Sequence, residues 1–294
     1  MSVKIILLDL DGTLLTSDKQ ISPANRAALE AAAARGIHIV PSTGRFYDGM
    51  PAVVRELPFV RYVVTVNGAQ VYDAEEKKIL HRAEIQPAAA EGIFDALDTL
   101  PVIYDCFLDG WGYMDERNYV RIDEFIQDPR VNRMVKELRR PVEDFRGFIR
   151  RENRPLQKIQ MFFKDMDRRR EELEHLSRIF PDMAVSSSIS NNIEINDKLA
   201  TKGEALGFLC RHLGIGIEET MSFGDGSNDL SMIQAAGIGV AMANAEESLK
   251  AAADYVTVSN DEDGVAKAIE KFCFRPDSPS RSRKKGTRPF CTEA

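Results

Sequence analysis

The sequence is poor in cysteine, and its cysteines do not form a recognisable framework. Cys106, Cys210, Cys273 and Cys291 are scattered along 294 residues without a CxxC pair. A zinc knuckle needs closely paired thiols, and a small secreted domain needs several disulfides. We therefore expect free thiols with neither a metal-binding nor a cross-linking role.

Long apolar segments and an excess of positive charge are also missing. No stretch approaches the roughly 20 apolar residues of a membrane helix, and the first apolar run ends directly in Asp9 and Asp11. The formal net charge of -7 opposes a general affinity for nucleic acid or an anionic membrane. These features predict a cytoplasmic protein that binds neither nucleic acid nor membranes. We also expect the protein to be a monomer or a weak homodimer.

The segments that are present alternate between strands and helices. Ser22 and Pro23 are typical of the start of a helix. Residues 37–40 are typical of a buried strand. A second helix is predicted over about 46–57 and a third strand over 62–66. Such βαβαβ alternation predicts an α/β fold with a Rossmann-like, doubly wound parallel sheet.

The chain divides into a discontinuous core and an insertion. The alternating pattern covers residues 1–82, loosens over 83–190, and returns over 191–274. We therefore predict one core domain formed by 1–82 and 191–274, with an inserted α/β domain at 83–190. Residues 275–294 are rich in Pro, Ser, Arg and Lys and are expected to form a mobile tail without a catalytic role.

The first strand ends in two acids. Asp9 and Asp11 follow a strongly apolar run and lie two residues apart, so they leave the strand on one side at its carboxyl end. Two such carboxylates repel each other, and a divalent cation with oxygen ligands relieves the repulsion. A buried strand that ends in an Asp-Gly turn is the alternative.

Two further loops follow core strands at the same edge. Ser42-Thr43-Gly44-Arg45 offers hydroxyls, the N–H groups of a Gly turn and a guanidinium, which suit phosphate oxygens. It also fits a plain strand-to-helix loop with Ser or Thr as the helix cap. Asn67-Gly68 most often marks a hairpin turn, and an amide contact to a substrate is its less common use.

The second half of the chain supplies a lysine and two more acids. Lys202 stands at the start of a predicted helix, where the helix dipole disfavours a cation unless an anion lies near it. A solvated lysine in the first turn is the alternative. Gly224-Asp225-Gly226-Ser227-Asn228-Asp229 puts Asp225 at the end of a strand and Asp229 in the first turn of the next helix. Acids beside glycines are typical of a Mg²⁺ site that shares a substrate phosphate.

Together these segments resemble a known family. The segments at 9–13, 42–45, 202–203 and 224–229 occur in this order and are similar to the four motifs of the haloacid dehalogenase superfamily of phosphohydrolases. Residues 67–72 and 236–245 resemble its Cof-type branch, whose members carry an inserted α/β cap of the IIB kind. The resemblance implies a Mg²⁺-dependent phosphomonoester hydrolase whose inserted domain is the cap.

Reaction chemistry and the resemblance together predict the catalytic roles. Asp9 is expected to attack phosphorus and form an aspartyl-phosphate, as the first Asp does in the family. Asp11 is expected to protonate the leaving alkoxide and then to take a proton from water. Thr43 and Lys202 are expected to bind the oxygens of the transferring phosphoryl group.

The remaining predictions concern metal and phosphate ligands. Mg²⁺ is expected to be held by Asp9, Asp225 and the backbone carbonyl of Asp11, with Asp229 as a further ligand or an outer acid. Other predicted phosphate- or substrate-binding residues lie in the same loops; they are Leu10, Ser42, Gly44, Arg45, Asn67, Gly68 and Asn228. Ser42 and Thr43 are adjacent hydroxyls, and either one can face the phosphate.

The inserted domain is expected to select a small phosphorylated metabolite by closing over the sheet edge. The arginines of residues 117–154 fit a solvated surface better than a second anion site, and Trp111 and Tyr113 fit packing better than stacking on a substrate. The resemblance implies sugar phosphates or phosphorylated cofactors such as flavin mononucleotide or pyridoxal phosphate.

Two other functions use the same acids. A phosphomutase would pass the phosphoryl group from Asp9 to a sugar hydroxyl instead of to water. A non-enzymatic phospho-acceptor of the receiver kind also pairs acids near a strand end with a lysine, but it needs neither the large insertion nor the segment at 224–229.

Overall fold

The computed structural model describes residues 2–274, so the predicted tail at 275–294 lies outside the described residues. In chain order the strands are β1 (Ile5–Leu8), β2 (His38–Pro41), β3 (Tyr62–Thr65), β4 (Gln70–Asp73), β5 (Lys78–Arg82), β6 (Ile103–Leu108), β7 (Trp111–Asp115), β8 (Arg139–Val142), β9 (Lys158–Phe162), β10 (Met183–Ser186), β11 (Asn192–Asp197), β12 (Thr220–Gly224), β13 (Ile238–Ala241) and β14 (Tyr255–Val256).

The helices connect these strands. They are α1 (Pro23–Ala33), α2 (Ala52–Arg55), α3 (Pro87–Leu97), α4 (Glu116–Tyr119), α5 (Ile122–Phe125), α6 (Pro129–Glu137), α7 (Phe145–Glu152), α8 (Met166–Ile179), α9 (Lys202–Leu213), α10 (Leu230–Ala235), α11 (Glu247–Ala252) and α12 (Gly264–Ile269). Short 3-10 turns occur at Tyr47–Gly49, Val66–Gly68, Ile217–Glu219, Ser227–Asp229 and Asn260–Glu262, and a π-helical turn at Glu270–Phe274. Over residues 2–274, every helix is too short or too polar to cross a membrane.

β1 lies inside a five-stranded parallel sheet with the order β14-β13-β12-β1-β2. Its side chains alternate between two apolar clusters: Ile6 and Leu8 pack on one face, and Ile5 and Leu7 on the other. Helices α1 and α12 cover the first face and α9 covers the second, which explains why the strand is apolar throughout. The predicted α/β fold with a doubly wound parallel sheet is confirmed.

The strand register brings the predicted motifs to one edge. Leu8 pairs with Pro41 of β2 and with Phe223 of β12. The residues that follow, Asp9, Ser42 and the loop after β12, therefore leave three adjacent strands at their carboxyl ends. Open α/β sheets bind ligands at this edge.

A small antiparallel sheet continues from β2. A single parallel bridge joins Ser42 to Val64 of β3, and β3, β4 and β5 then form a three-stranded antiparallel sheet. The turn at Val66–Gly68 connects β3 to β4, so Asn67-Gly68 does form the predicted hairpin turn.

The helix predicted over about 46–57 is shorter than expected. The segment contains a 3-10 turn at Tyr47–Gly49 and a one-turn helix, α2, which begins after Pro51. Proline lacks a backbone N–H and cannot sit inside a helix, so the pattern of apolar residues breaks into two short turns.

The inserted domain is built on a second sheet with the order β10-β11-β9-β6-β7-β8, in which only β7 and β8 run parallel. Helices α3, α7 and α8 contribute to the apolar cluster on this sheet. The sequence-based boundary at residue 191 falls one strand early, because β11 pairs with β9 and β10 of this sheet. Ile193 and Ile195 show the alternation of any half-buried strand, and alternation does not reveal which sheet receives it.

In the insertion, Trp111 and Tyr113 pack against other aromatic rings, and most of the arginines are exposed to solvent. Tyr113 packs on Phe148, with ring centroids 4.9 Å apart, and Trp111 packs on Phe46 of the core at 5.7 Å. The arginines of residues 117–154 are exposed, except for the buried Arg139 and the half-buried Arg146.

Three of the four cysteines lie within the described residues. Cys106, Cys210 and Cys273 are free thiols, and burial raises the pKa of each thiol above its ordinary value. Cys291 lies outside the described residues.

Candidate active site

Lys202 is completely buried at the first position of α9. Its Nζ lies 2.6 Å from Oδ1 of Asp9 and 2.6 Å from Oδ1 of Asp229. The helix begins here because the Thr201 side chain accepts the backbone N–H of Glu204. Burial alone would lower the pKa of Lys202, but Asp229 and Asp9 outweigh it, so the pKa is raised and the ammonium stays charged. The anion expected near this lysine is thus a pair of carboxylates.

The loop after β12 holds the other predicted acid, Asp225. The Thr13 hydroxyl donates a 2.7 Å hydrogen bond to Oδ1 of Asp225. Oδ2 of Asp229 accepts the backbone N–H groups of Asp225 and Gly226 at 2.9 and 3.0 Å, so one carboxylate fixes both the loop and Lys202. Thr13 is not among the predicted site residues, although its position inside the first motif could have identified it.

The loop after Asp11 approaches Asp225 closely. Gly12 has a φ of +92°, and a Cβ at this position would collide with the Asp225 carboxylate. Only glycine satisfies both constraints, which explains the Gly in the first motif. The carbonyl of Gly12 accepts a 2.8 Å hydrogen bond from the side chain of Asn244, which ties this loop to the segment after β13.

Three acids of the site lie close together. Asp9, Asp225 and Asp229 can offer carboxylate oxygens within 4.8 Å of one another. Burial raises the pKa of Asp9 well above its ordinary value, against the attraction of Lys202. Burial and the neighbouring Asp229 raise the pKa of Asp225 to about 7. The single charge of Lys202 cannot neutralise three clustered carboxylates. Such a group of oxygen ligands with excess negative charge fits a hard divalent cation such as Mg²⁺.

Asp11 points away from this cluster. Its carboxylate accepts hydrogen bonds from Nε and Nη2 of Arg45 at 2.9 and 3.0 Å and from Nζ of Lys19 at 2.7 Å. Burial would raise the pKa of Asp11, but Arg45 and Lys19 hold it below its ordinary value. Arg45 therefore contacts an acid of the site. Lys19 is an additional site residue that carries no motif signal in the sequence.

The loop after β2 is tied to the turn after β3. The backbone N–H of Val66 donates to the carbonyl of Arg45 at 2.9 Å, and that of Asn67 donates to the carbonyl of Thr43 at 3.0 Å. The Thr43 side chain accepts the N–H of Arg45 at 3.2 Å, so its own hydroxyl proton can point elsewhere. Two loops that are separate in sequence thus form one rigid wall of the site.

The turn at Val66–Gly68 has an unusual backbone. Val66, Asn67 and Gly68 have φ values of +50°, +59° and +106°. A β-branched residue in the left-handed region is strained, and such strain is concentrated at functional sites. A Cβ at Gly68 would collide with the backbone of Thr201, so the turn also approaches the start of α9. Gly68 therefore allows close packing beside Lys202.

The insertion contributes a buried ion pair to the same wall. Nζ of Lys158 lies 2.8 Å from Oε1 of Glu194 and 3.1 Å from the carbonyl of Gly44. Nδ2 of Asn67 donates to Oε2 of Glu194 at 2.6 Å, and Nδ2 of Asn228 donates to Oδ1 of Asn67 at 3.2 Å. Neither Lys158 nor Glu194 is predicted by a motif, because their strands show only ordinary alternation.

Two predicted residues of this edge differ in what they can offer. Ser42 is fully buried, and its Oγ has no hydrogen-bond partner within residues 2–274. Leu10 packs its side chain in the apolar cluster beneath the sheet, so only its main chain can take part in binding.

Comparisons with known proteins agree with this geometry. The family of haloacid dehalogenase-like hydrolases matches residues 6–269. Phosphatase YwpJ of Bacillus subtilis (strain 168) is 34% identical over 284 residues, which cover 90% of this chain and 98% of that protein. The 5-amino-6-(5-phospho-D-ribitylamino)uracil phosphatase YcsE of the same organism is 31% identical over 277 residues, which cover 92% of this chain and 96% of that protein.

A solved structure extends the likeness to the insertion. The structure of the HAD subclass IIB sugar phosphatase BT4131 matches with a TM-score of 0.74 and 28% identity, over 92% of this chain and 99% of that chain. The match therefore includes the second sheet as well as the parallel sheet. By its sequence, fold and site, the chain belongs to the haloacid dehalogenase-like hydrolases, as a phosphatase of the Cof-type branch with a IIB-type cap.

Proposed function

We propose that this phosphatase hydrolyses a small phosphomonoester with Mg²⁺ and through an aspartyl-phosphate on Asp9. The observation that carries the proposal is the bridge of Lys202 between Asp9 and Asp229, with Asp225 beside them, at the carboxyl edge of the sheet. A nucleophilic carboxylate, a buried cation and clustered oxygen ligands are what phosphoryl transfer requires.

The metal would be held by Asp9, Asp225 and the backbone carbonyl of Asp11. Both oxygens of Asp229 already accept hydrogen bonds, so Asp229 contributes charge and holds the loop from outside. When bound, Mg²⁺ supplies positive charge that lessens the repulsion between the carboxylates and a phosphate.

The protein's own groups carry the steps of the reaction. An oxygen of Asp9 bonds to phosphorus while the ester P–O bond breaks, and the leaving oxygen takes a proton from Asp11. Water then gives a proton to Asp11 and attacks the phosphorus, which releases inorganic phosphate and restores Asp9. Lys202 and Thr43 would bind the phosphoryl oxygens, since Lys202 contacts Asp9 from the start of α9 and Thr43 lies in the loop after the neighbouring strand β2.

Asp11 must carry a proton before it can act as the acid. In the structure it is paired with Arg45 and Lys19, which favour its ionised form. An incoming phosphate dianion repels the Asp11 carboxylate and attracts the same two cations. We therefore propose that substrate binding draws Arg45 towards the phosphate and lets Asp11 take up its proton.

The substrate class is proposed to be a phosphorylated polyol or sugar, or a phosphorylated cofactor. Support comes from the solved IIB sugar phosphatase and from the ribitylamino-uracil phosphatase among the relatives. The remaining predictions, a cytoplasmic monomer or weak homodimer without nucleic-acid or membrane partners, stay part of the proposal.

The deciding experiment is a phosphate-release assay over a panel of phosphomonoesters with Mg²⁺. Asp9→Asn keeps the size of the side chain and removes the nucleophile, so turnover should fall below detection while the protein stays folded. Asp182→Asn is the matched control, because the Asp182 side chain is 89% exposed. Near-wild-type turnover by Asp9→Asn would show that the nucleophile is elsewhere.

The same assay separates the alternatives. Stoichiometric release of free phosphate without a bisphosphate activator is the result expected of a hydrolase. A phosphomutase would need the activator and release no phosphate, and a phospho-acceptor domain would retain its phosphoryl group.

A further inference from the structure

The seam between the cap and the core contains a buried ion pair that the reaction does not use. Lys158 on β9 and Glu194 on β11 have side chains only 3% and 1% exposed. Burial alone would raise the pKa of Glu194, but Lys158 and the surrounding hydrogen-bond donors hold it below its ordinary value. Glu194 is therefore an ionised carboxylate held almost completely inside the protein beside the Lys158 side chain.

The Glu194 carboxylate is the acceptor in each of its hydrogen bonds. Oε1 accepts Nζ of Lys158 and Oγ of Ser188, both at 2.8 Å, and Nδ2 of Asn192 at 3.2 Å. Oε2 accepts Nδ2 of Asn67 at 2.6 Å. An ionised carboxylate accepts hydrogen bonds and donates none, so it can bind only the NH₂ end of Asn67.

This contact is the shorter of two that fix the direction of the Asn67 amide; the other is a 3.4 Å hydrogen bond from Nδ2 of Asn67 to Oδ1 of Asn196. With Nδ2 on Glu194, Oδ1 of Asn67 must face the core, where it accepts Nδ2 of Asn228 at 3.2 Å. Asn228 lies in the loop that also carries Asp225. The charge of a cap residue thus orients an amide in the fourth motif of the core.

Lys158 acts on the second motif in the same way. Its Nζ donates to the carbonyl of Gly44 at 3.1 Å, and a Cβ at Gly44 would approach Oδ1 of Asn67 to 3.0 Å. Gly44 connects Thr43 to Arg45, the residues predicted to meet the phosphate. The two charges of the pair therefore hold two separate phosphate loops.

We propose that Lys158 and Glu194 are positioning residues of the cap, which set the orientation of Asn67 and Asn228 and the course of the 43–45 loop for phosphate binding. The proposal rests on the proposed function, because the loops it concerns are those assigned to the phosphate. It makes the cap part of the phosphate site itself, in addition to any role in substrate selection.

A second buried ion pair in the same sheet provides the matched control. Nε of Arg139 lies 2.8 Å from Oδ2 of Asp105, with side chains 4% and 0% exposed. Asp105 also accepts Nε2 of Gln160, and Arg139 donates to the carbonyl of Leu138, so these hydrogen bonds stay within the cap. Asp105→Asn removes a buried charge without touching a phosphate loop.

The test compares Glu194→Gln, Lys158→Met, their double variant and Asp105→Asn in the full chain with Mg²⁺. For each, kcat and KM are measured with p-nitrophenyl phosphate, together with the inhibition constant of inorganic phosphate and the Tm. In Glu194→Gln the amide of residue 194 can donate as well as accept, so only the longer 3.4 Å contact from Nδ2 of Asn67 to Oδ1 of Asn196 still favours the present orientation of the Asn67 amide.

The expected result is a rise of KM and of the phosphate inhibition constant by the same factor, on the order of 10-fold or more, in the Glu194 and Lys158 variants. The double variant should regain Tm, because no unpaired charge is buried, but not phosphate binding. Asp105→Asn should lose Tm while keeping both constants. If a single variant does not fold, the double variant carries the test.

The proposal is overturned if the double variant binds inorganic phosphate as the wild type does. It is equally overturned if phosphate binding recovers together with Tm, since the pair would then be structural only. Asp9→Asn keeps the two hypotheses apart. If Asp9→Asn is inactive and the double variant is normal, only the positioning role fails; if Asp9→Asn is active, the proposed function fails.

Discussion

The core and the cap each bury one lysine at the site, but the two lysines have different surroundings. Lys202 of the core faces Asp9 and Asp229, with Asp225 close by, so negative charge is in excess. Lys158 of the cap faces one acid, Glu194, and the pair is electrically balanced. The unbalanced group is suited to gain a cation and a phosphate, whereas the balanced pair is suited to hold structure.

We expect the largest loss of activity and stability when Lys202 is replaced. Lys202→Met should reduce kcat/KM by about 10²- to 10³-fold, because a charge that stabilises the transferring phosphoryl group is lost. In the absence of metal, the free energy of unfolding should also fall by about 3–5 kcal/mol, because the buried carboxylates lose their cationic partner. Steady-state kinetics and urea unfolding in EDTA measure both. Wild-type kinetics in this variant would remove Lys202 from the phosphate site.

Lys158→Met should lower the free energy of unfolding by a similar amount, about 3–5 kcal/mol, since it leaves Glu194 charged and unpaired. The two lysines should differ in their response to metal. Saturating Mg²⁺ should recover part of the stability that Lys202→Met loses and none of that lost by Lys158→Met. Equal recovery in the two variants would break the distinction between an unbalanced and a balanced site.

Metal removal tests the excess of negative charge directly. Mg²⁺ at 100 times its dissociation constant should stabilise the wild type by about 2.7 kcal/mol relative to EDTA. Asp225→Asn removes one predicted ligand and should require more Mg²⁺ for the same shift, measured as Tm against Mg²⁺ concentration. An unchanged titration would exclude Asp225 as a ligand.

The smallest change in the free energy of unfolding is expected when the partner of Asp11 is removed. The Asp11 carboxylate is about one-third exposed and is paired with Lys19. Its pKa is held below the ordinary value of 3.8, so the pair contributes stability above that pH and loses it as the pH falls through the lower, folded pKa. Lys19→Met should therefore cost less than about 1 kcal/mol near pH 7, and the difference should shrink in acid. Urea unfolding at pH 7 and below pH 4 measures it. A cost that grows in acid would contradict the pairing.

Much of the core could be predicted because its signals are local. The apolar run before Asp9, the cap of α9 before Lys202 and the glycines around Asp225 each encode an element and its end. The prediction of one helix over about 46–57 was wrong, because Pro51 interrupts the segment. Proline is also a local signal, and it outweighs the apolar pattern. The parallel order of the strands then brings the predicted residues to one edge.

The cap was harder to predict because pairing between distant strands has no local signal. β11 shows the same alternation whether it joins the core or the cap, and its pairing with β9 is what puts Glu194 beside Lys158. A charged residue on an alternating strand is usually solvated. Its burial here depends on a partner 36 residues away.

By itself the sequence determined the family, the phosphatase class and the parallel sheet that gathers the acids, hydroxyls and lysine proposed for the site. The tertiary structure alone decided how these groups are oriented. It pairs Asp11 with Arg45 and Lys19, and it turns the amide of Asn67 towards Asn228 through a charge from the cap. The physical reason is that motifs are encoded by short-range spacing, whereas the direction of a hydrogen bond depends on the partners that folding brings within about 3 Å.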